Sequence, residues 1–157
     1  MDWVGESIKL FTAPKPEHFT NFQHCCECEE HDETLRESSV DTIGLEELGN
    51  PGWDPMSFCT AEGLDYYFPA LVRLSLETVD TDAFYFEQLL FHLEHGGPEN
   101  RLYLHSTRQQ GAFVASFLEH MITDYPTQLE ENRCADDALR AYELWFNARN
   151  QSCMRLS

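Results

Sequence analysis

Hydrophobic residues in the second half of the chain recur every three to four positions, which is the spacing that places them on one face of an α-helix. Four stretches of this kind predict helices over about residues 60–78, 82–95, 106–125 and 135–148. Thr60, Asp82 and Ser106 are the expected N-caps. Pro69 lies inside the first stretch and is expected to kink or divide it. No segment shows the strict alternation of a half-buried β-strand.

Residues 1–58 have no such regular pattern. They are rich in proline and acidic residues, with short helices predicted only over about 3–11 and 29–36 and a turn at Asn50-Pro51-Gly52-Trp53. The chain is therefore predicted to be all-α, a small helical bundle with an irregular, loop-rich N-terminal lobe. We interpret residues 1–157 as a single domain, with 1–58 as the lobe and 59–150 as the bundle.

The chemically most specific feature is the segment His24-Cys25-Cys26-Glu27-Cys28-Glu29-Glu30-His31. Zinc prefers four nitrogen or sulfur ligands in a tetrahedron, and Cys25, Cys28 and His31 recur at intervals of three. On one straight helix Cys25 and His31 would stand about 9 Å apart along the axis, too far to share a metal ion. The segment therefore predicts a Zn²⁺ site made of a turn that carries Cys25 and a helix that carries Cys28 and His31.

The fourth zinc ligand is left open by the sequence. His24 is the leading candidate, and His18, Cys26, Cys59 or a water molecule are the alternatives. A fourth protein ligand would favour a structural zinc site, and a water would favour a catalytic one. The predicted zinc site consists of His24, Cys25, Cys28 and His31, and no catalytic residue is assigned.

Acidic residues surround these thiols, and their charge is expected to raise the thiol pKa values and to favour a bound cation over a reactive thiolate. His92 and His95 could form a second metal pair, but both fall in the last turn of a predicted helix, where the helix dipole favours positive charge. His120 beside Glu119 is interpreted as a surface pair. The sequence contains no phosphate-binding glycine loop and no nucleophile-elbow motif.

The chain carries 10 Lys and Arg against 28 Asp and Glu, a formal net charge of −18. Such a charge disfavours binding to nucleic acid and to anionic membranes, and it suits a basic protein partner. No apolar run is long enough for a membrane span, and the N-terminus does not resemble a secretory signal. Clustered cysteines without such a signal predict a cytoplasmic protein. The oligomeric state stays open.

Several sequence strings outside the metal segment are also distinctive: Pro16-Glu17-His18-Phe19-Thr20-Asn21, Gly49-Asn50-Pro51-Gly52-Trp53-Asp54-Pro55 and Tyr66-Tyr67-Phe68-Pro69-Ala70-Leu71. Together with the metal segment, they resemble a family of small uncharacterised bacterial proteins over about residues 16–75. The resemblance implies that the His-Cys-x-x-Cys-x-x-His string is a family trait and that Cys26 is an extra cysteine. The family has no assigned activity, so the resemblance implies no function.

Three hypotheses follow. The first is a zinc-stabilised acidic cytosolic protein that acts as a protein-binding, regulatory, inhibitor-type or immunity-type module. This hypothesis is favoured over an enzyme. The alternative is a metal-dependent hydrolase with an open zinc position and Glu27 or Glu30 as general base. The third is a protein without metal whose cysteines are redox-active or inert.

Overall fold

The computed structural model describes residues 1–155, and side chains up to residue 147. The described chain contains α-helices and short 3₁₀-helices and no β-strand, which confirms the predicted all-α fold. The α-helices are α1 (Trp3–Leu10), α2 (Cys26–Glu37), α3 (Leu45–Leu48), α4 (Ala61–Glu77), α5 (Phe86–Glu94), α6 (Arg101–His105), α7 (Arg108–Asp124), α8 (Pro126–Glu131) and α9 (Ala135–Arg155). The 3₁₀-helices span Pro51–Trp53, Pro55–Phe58 and Gly97–Glu99.

The contacts divide the chain into two compact units, Met1–Leu76 and Glu77–Ser157. This boundary falls in the last turn of α4, whereas the composition of the sequence changes near residue 58. The predicted single domain stays a prediction.

The first unit is built around α4, which buries most of its residues. Phe19, Leu35 and Phe68 are fully enclosed in its core. The ring of Phe11 stacks on that of Phe68, with centroids 4.2 Å apart. Tyr67 is also fully buried, and its hydroxyl donates a hydrogen bond to the carbonyl of Leu35 at the C-terminal part of α2. The C-terminal part of α2 and the residue that follows α1 are thus in contact with α4.

The second unit is a bundle in which α9 packs against α7 and α5. Phe86 of α5 meets Phe117 of α7 edge to face, with ring centroids 6.2 Å apart. Trp145 of α9 is fully buried, and its indole N–H donates to the carbonyl of Leu93 at 2.9 Å. The hydrophobic period that predicted α5 and α7 corresponds to their buried faces. In α9 the buried face is instead formed by Ala138, Ala141 and Trp145, and Leu139 and Phe146 are exposed.

Some helix boundaries match the sequence and others differ. The hydroxyl oxygen of Thr60 accepts a hydrogen bond from the amide of Gly63 at 3.2 Å, as expected for the N-cap of α4. Pro69 was predicted to kink or divide this helix; the division is wrong, since α4 continues through Pro69, and the kink stays a prediction. A proline removes one N–H donor, and a helix anchored by buried residues on both sides of it can accommodate that loss.

Two predicted caps are also wrong. The capping box of α7 uses Thr107 and Gln110, one residue later than the predicted Ser106 pair. Asp82 does not cap α5, which begins at Phe86 without a side-chain cap. The amide of Tyr85 instead donates to the hydroxyl oxygen of Thr78, so residues between them form a turn.

Candidate metal centre

The site is organised by the N-terminus of α2. Cys25 is the N-cap of this helix, with an extended backbone (φ −161°, ψ 170°), and its Sγ accepts a hydrogen bond from the amide of Cys28 at 3.4 Å. A sulfur here occupies the place that a Ser or Asp oxygen usually takes at a helix N-cap. The helix therefore begins at Cys26, three residues before the predicted start. Cys25 does lie before the helix and Cys28 in its first turn, as predicted.

Three side chains, which we call the His/Cys cluster, come together at this point: His24, Cys25 and Cys28. One ligand atom from each lies within 4.8 Å of the other two. The two sulfurs are 3.2 Å apart, and the Nδ1 of His24 lies 3.8 Å from the Sγ of Cys28. Two sulfurs on one tetrahedral zinc ion stand about 3.8 Å apart. Small side-chain adjustments would therefore allow the cluster to hold a metal ion.

The cluster is open to solvent on one side. His24 and Cys25 are exposed, whereas Cys28 is buried. A metal ion held by these three side chains would thus be anchored on the inner side by Cys28. Its outer side would face the surroundings of the protein.

The two thiols differ electrostatically. The amide of Cys28, the imidazole of His24 and the thiol of Cys28 hydrogen-bond to the sulfur of Cys25 and lower its pKa from 9.0 to about 7. The expectation that the acidic surroundings raise every thiol pKa is therefore wrong for Cys25, because the helix N-terminus stabilises its thiolate. It is right in direction for Cys28, whose pKa is raised by its hydrogen bond with Cys25, by burial, and by the charges of Cys25 and Glu27.

His31 is not part of the His/Cys cluster. Its ring is fully buried and lies against the aromatic rings of Trp53 and Phe58, at centroid distances of 4.5 and 4.8 Å. Among the residues that the structure describes, neither ring nitrogen has a hydrogen-bond partner, although Nε2 lies 3.6 Å from a carboxylate oxygen of Glu27. One turn beyond Cys28, the predicted ligand thus packs in an aromatic environment.

The other candidates for the fourth ligand are also placed elsewhere. His18 stacks on Phe22 with ring centroids 3.9 Å apart, and its Nδ1 lies 2.7 Å from a carboxylate oxygen of Asp32. Cys26 is exposed and Cys59 is buried, and neither joins the His/Cys cluster. Cys153 lies outside the described side chains. Among the described residues, the cluster therefore offers three ligands.

Asp32 is a structural residue of this region that sequence reasoning missed. It is buried, and its carboxylate accepts hydrogen bonds from the amides of Phe19 and Thr20, at 2.6 and 3.1 Å, as well as pairing with His18. Burial by itself would raise its pKa, but these hydrogen bonds outweigh burial and hold the pKa of Asp32 below its ordinary value. The same segment is tied to the cluster directly, since the hydroxyl of Thr20 donates to the carbonyl of Cys28 at 2.7 Å.

His92 and His95 do not form a metal group among the described residues. His92 is buried, and His95 is the C-cap of α5. The side-chain amide of Asn100 donates to both of their carbonyls, at 2.8 and 2.9 Å. The interpretation of this pair as a helix end therefore agrees with the structure.

Comparison of the chain with known protein families, with curated proteins and with solved structures finds no match. Within the part of the chain that the structure describes, no helix is both long enough and apolar enough to cross a membrane. The candidate site consequently stands on its own geometry.

Proposed function

We propose that this chain is a zinc-binding acidic protein of the cytoplasm that acts as a protein-binding or regulatory module. The observation that carries the proposal is the His/Cys cluster, in which His24, Cys25 and Cys28 bring three ligand atoms within 4.8 Å of one another. Thiolates and imidazoles are donors that Zn²⁺ prefers, whereas Mg²⁺ and Ca²⁺ prefer oxygen ligands.

The electrostatic surroundings support a bound cation. The chain has a formal net charge of −18, and Glu27, Glu29 and Glu30 interleave with the ligands on the first turns of α2. A zinc ion bound to two thiolates and one imidazole adds no net charge, so the acidic surface stays available. That surface is complementary to a basic protein, for example the nucleic-acid-binding face of an enzyme that an inhibitor or immunity-type protein would cover.

The three-ligand geometry and its exposure connect the metal to binding. A zinc ion held by three protein ligands has one coordination position left, and the exposure of His24 and Cys25 supports a position that faces the surface. In a binding module, a nitrogen or sulfur donor of the partner completes the tetrahedron. The metal then acts as a contact as well as a local stabiliser of the start of α2.

The alternative function, a metal-dependent hydrolase, is favoured by the same count of three ligands, because catalytic zinc sites keep a position for water. The candidate general bases are Glu27 and Glu30. Glu27 is directed to His31, at 3.6 Å from its Nε2. This contact engages one of the two candidate bases and so supports the binding module.

The test is a zinc titration of the reduced, metal-free protein, followed by native mass spectrometry and X-ray absorption spectroscopy. We expect one zinc ion with two sulfur ligands and one imidazole among its nitrogen or oxygen ligands. Cys28→Ser and His24→Ala should lose at least about tenfold in zinc affinity. Cys26→Ser is the matched control, because Cys26 is an adjacent exposed cysteine outside the cluster, and it should bind zinc like the unmodified protein. Unchanged zinc binding in Cys28→Ser would refute the proposal.

The same samples separate the two functions. Zinc-loaded protein should hydrolyse the ester probe p-nitrophenyl acetate no faster than Cys28→Ser does. Zinc-dependent turnover that Glu30→Gln or Glu27→Gln abolishes would favour the hydrolase instead.

A further inference from the structure

The two cysteines of the His/Cys cluster are arranged for a second kind of chemistry. Their sulfurs lie 3.2 Å apart, and a disulfide bond is about 2.05 Å long, so closing the bond requires a movement of about 1 Å. Both are free thiols in this structure. Cys26, next to Cys25 in the sequence, is not part of the cluster.

The two thiols also differ in access. Cys25 is exposed at the N-terminus of α2, where the amide of Cys28 points at its sulfur from 3.4 Å. Cys28 is buried behind it in the first turn of the helix. An incoming disulfide can therefore reach Cys25 and not Cys28, whereas Cys28 can reach the sulfur of Cys25. In a thiol–disulfide exchange, Cys25 is thus placed to be the attacking cysteine and Cys28 the resolving cysteine.

We propose that Cys25 and Cys28 form a thiol–disulfide exchange pair whose substrate is a disulfide flanked by cationic groups. The thiolate of Cys25 attacks one sulfur of the substrate, which breaks the substrate's S–S bond and releases its other half as a thiolate. Cys28 then loses its proton and attacks the Cys25 sulfur, which forms the internal disulfide and releases the second half. The pair gives up two electrons, and the two protons of its thiols end on the two product thiols.

The preference for a cationic substrate comes from the surroundings of Cys25. Glu29 and Glu30 are exposed on the first turns of the same helix, and Glu27 is partly exposed. Negative charges at a reactive thiol concentrate cationic disulfides and repel anionic ones, and the effect weakens with salt.

The internal disulfide and the metal exclude each other, because both require the same two sulfurs. In the zinc-loaded protein, thiol–disulfide exchange therefore releases the zinc ion. The two product thiolates then take their protons from the solvent. The release of zinc rests on the proposed function, whereas the exchange itself does not, since it requires only the two thiols.

The test uses reduced, metal-free protein, equilibrated with glutathione redox buffers, quenched with acid, alkylated and examined by peptide mass spectrometry. We expect a Cys25–Cys28 disulfide that forms reversibly in the folded protein and equally in Cys26→Ser. Cys28→Ser should instead accumulate glutathione attached to Cys25. If Cys25 and Cys28 stay reduced in every buffer, or pair with other cysteines, the proposal is wrong.

The substrate class is tested by rates with two small probes, cationic cystamine and anionic glutathione disulfide. The measured quantity is the rate with cystamine divided by the rate with glutathione disulfide. At low salt this ratio should be about tenfold higher for the protein than for the neutral thiol 2-mercaptoethanol. The double variant Glu29→Gln/Glu30→Gln should lose most of this preference. An equal ratio for protein and reference thiol would overturn the substrate class.

His24→Ala distinguishes this proposal from the zinc proposal. It should lose zinc affinity and still form the Cys25–Cys28 disulfide. A protein that binds zinc but forms no internal disulfide would refute only the exchange, and one that forms the disulfide but binds no zinc would refute only the metal site.

Discussion

The two units of this protein are stabilised in different ways. In Met1–Leu76, several polar side chains bond to backbone groups far away in the sequence: Asp32 to the amides of Phe19 and Thr20, Lys15 to the carbonyls of Arg36 and Ser38, Tyr67 to that of Leu35, and Arg73 to those of Val40 and Ile43. In Glu77–Ser157, long helices bury apolar faces against each other. Irregular backbone needs such polar partners because its amides and carbonyls are not paired within helices.

The comparison indicates which substitutions matter in each unit. In the helical unit, large effects are expected from cavities in the packing. In the irregular unit, they are expected from the loss of single charged or polar groups that serve several backbone atoms.

The largest effect is expected in the helical unit. Trp145→Ala removes a fully buried indole and leaves the carbonyl of Leu93 without its donor. We expect a loss of about 4 kcal/mol in the free energy of unfolding. Urea denaturation followed by circular dichroism measures it, with Trp145→Phe as an intermediate control. A loss below about 1 kcal/mol would contradict the described packing of α9.

A somewhat smaller effect is expected in the irregular unit. Asp32→Ala leaves the buried amides of Phe19 and Thr20 without an acceptor, so we expect a loss of about 3 kcal/mol, with Asp32→Asn losing less. Because the pKa of Asp32 is lowered in the folded state, its carboxylate stabilises the protein above about pH 4.

That contribution should disappear as the pH falls through the lowered folded-state pKa of Asp32. Urea denaturation of the unmodified protein and of Asp32→Asn as a function of pH measures the difference. A difference that grows on acidification would contradict the assignment.

A gain of stability is expected at His31. Its buried ring nitrogens have no hydrogen-bond partner in the described part of the chain. His31→Phe, which keeps the contacts with Trp53 and Phe58, should therefore stabilise the protein by about 1 kcal/mol. Zinc affinity should be unchanged, in contrast to His24→Phe. If His31→Phe lost its zinc affinity, that result would support the four-ligand site predicted from the sequence.

The smallest effect is expected on the surface of the helical unit. Arg140 is largely exposed and pairs with Asp137 and Glu94. Exposed ion pairs contribute little, so Arg140→Ala should change the free energy of unfolding by less than about 0.5 kcal/mol. Thermal unfolding at low and high salt checks this, and a loss comparable to that of Asp32→Ala would show that polar contacts matter equally in both units.

The helices of the second unit could be predicted from the sequence because their hydrophobic period records directly which face is buried. Their caps were less predictable: Ser106 and Thr107 are equally good cap residues, and α5 begins at Phe86 without a side-chain cap, beyond the turn that contains Asp82. The role of Asp32 could not be predicted either, since its partners lie 12 to 14 residues away on a loop.

The sequence by itself determined the all-α class, the acidic charge and the segment in which the His/Cys cluster lies, because helical periodicity, composition and the Cys-x-x-Cys spacing are local properties. Only the tertiary structure decided which residues of that segment meet. Starting α2 at Cys26 makes Cys25 its cap, brings His24 and Cys28 to the same point and lowers the pKa of Cys25. His31 lies outside this group, because one helical turn further its ring packs between Trp53 and Phe58, residues that a distant part of the chain supplies.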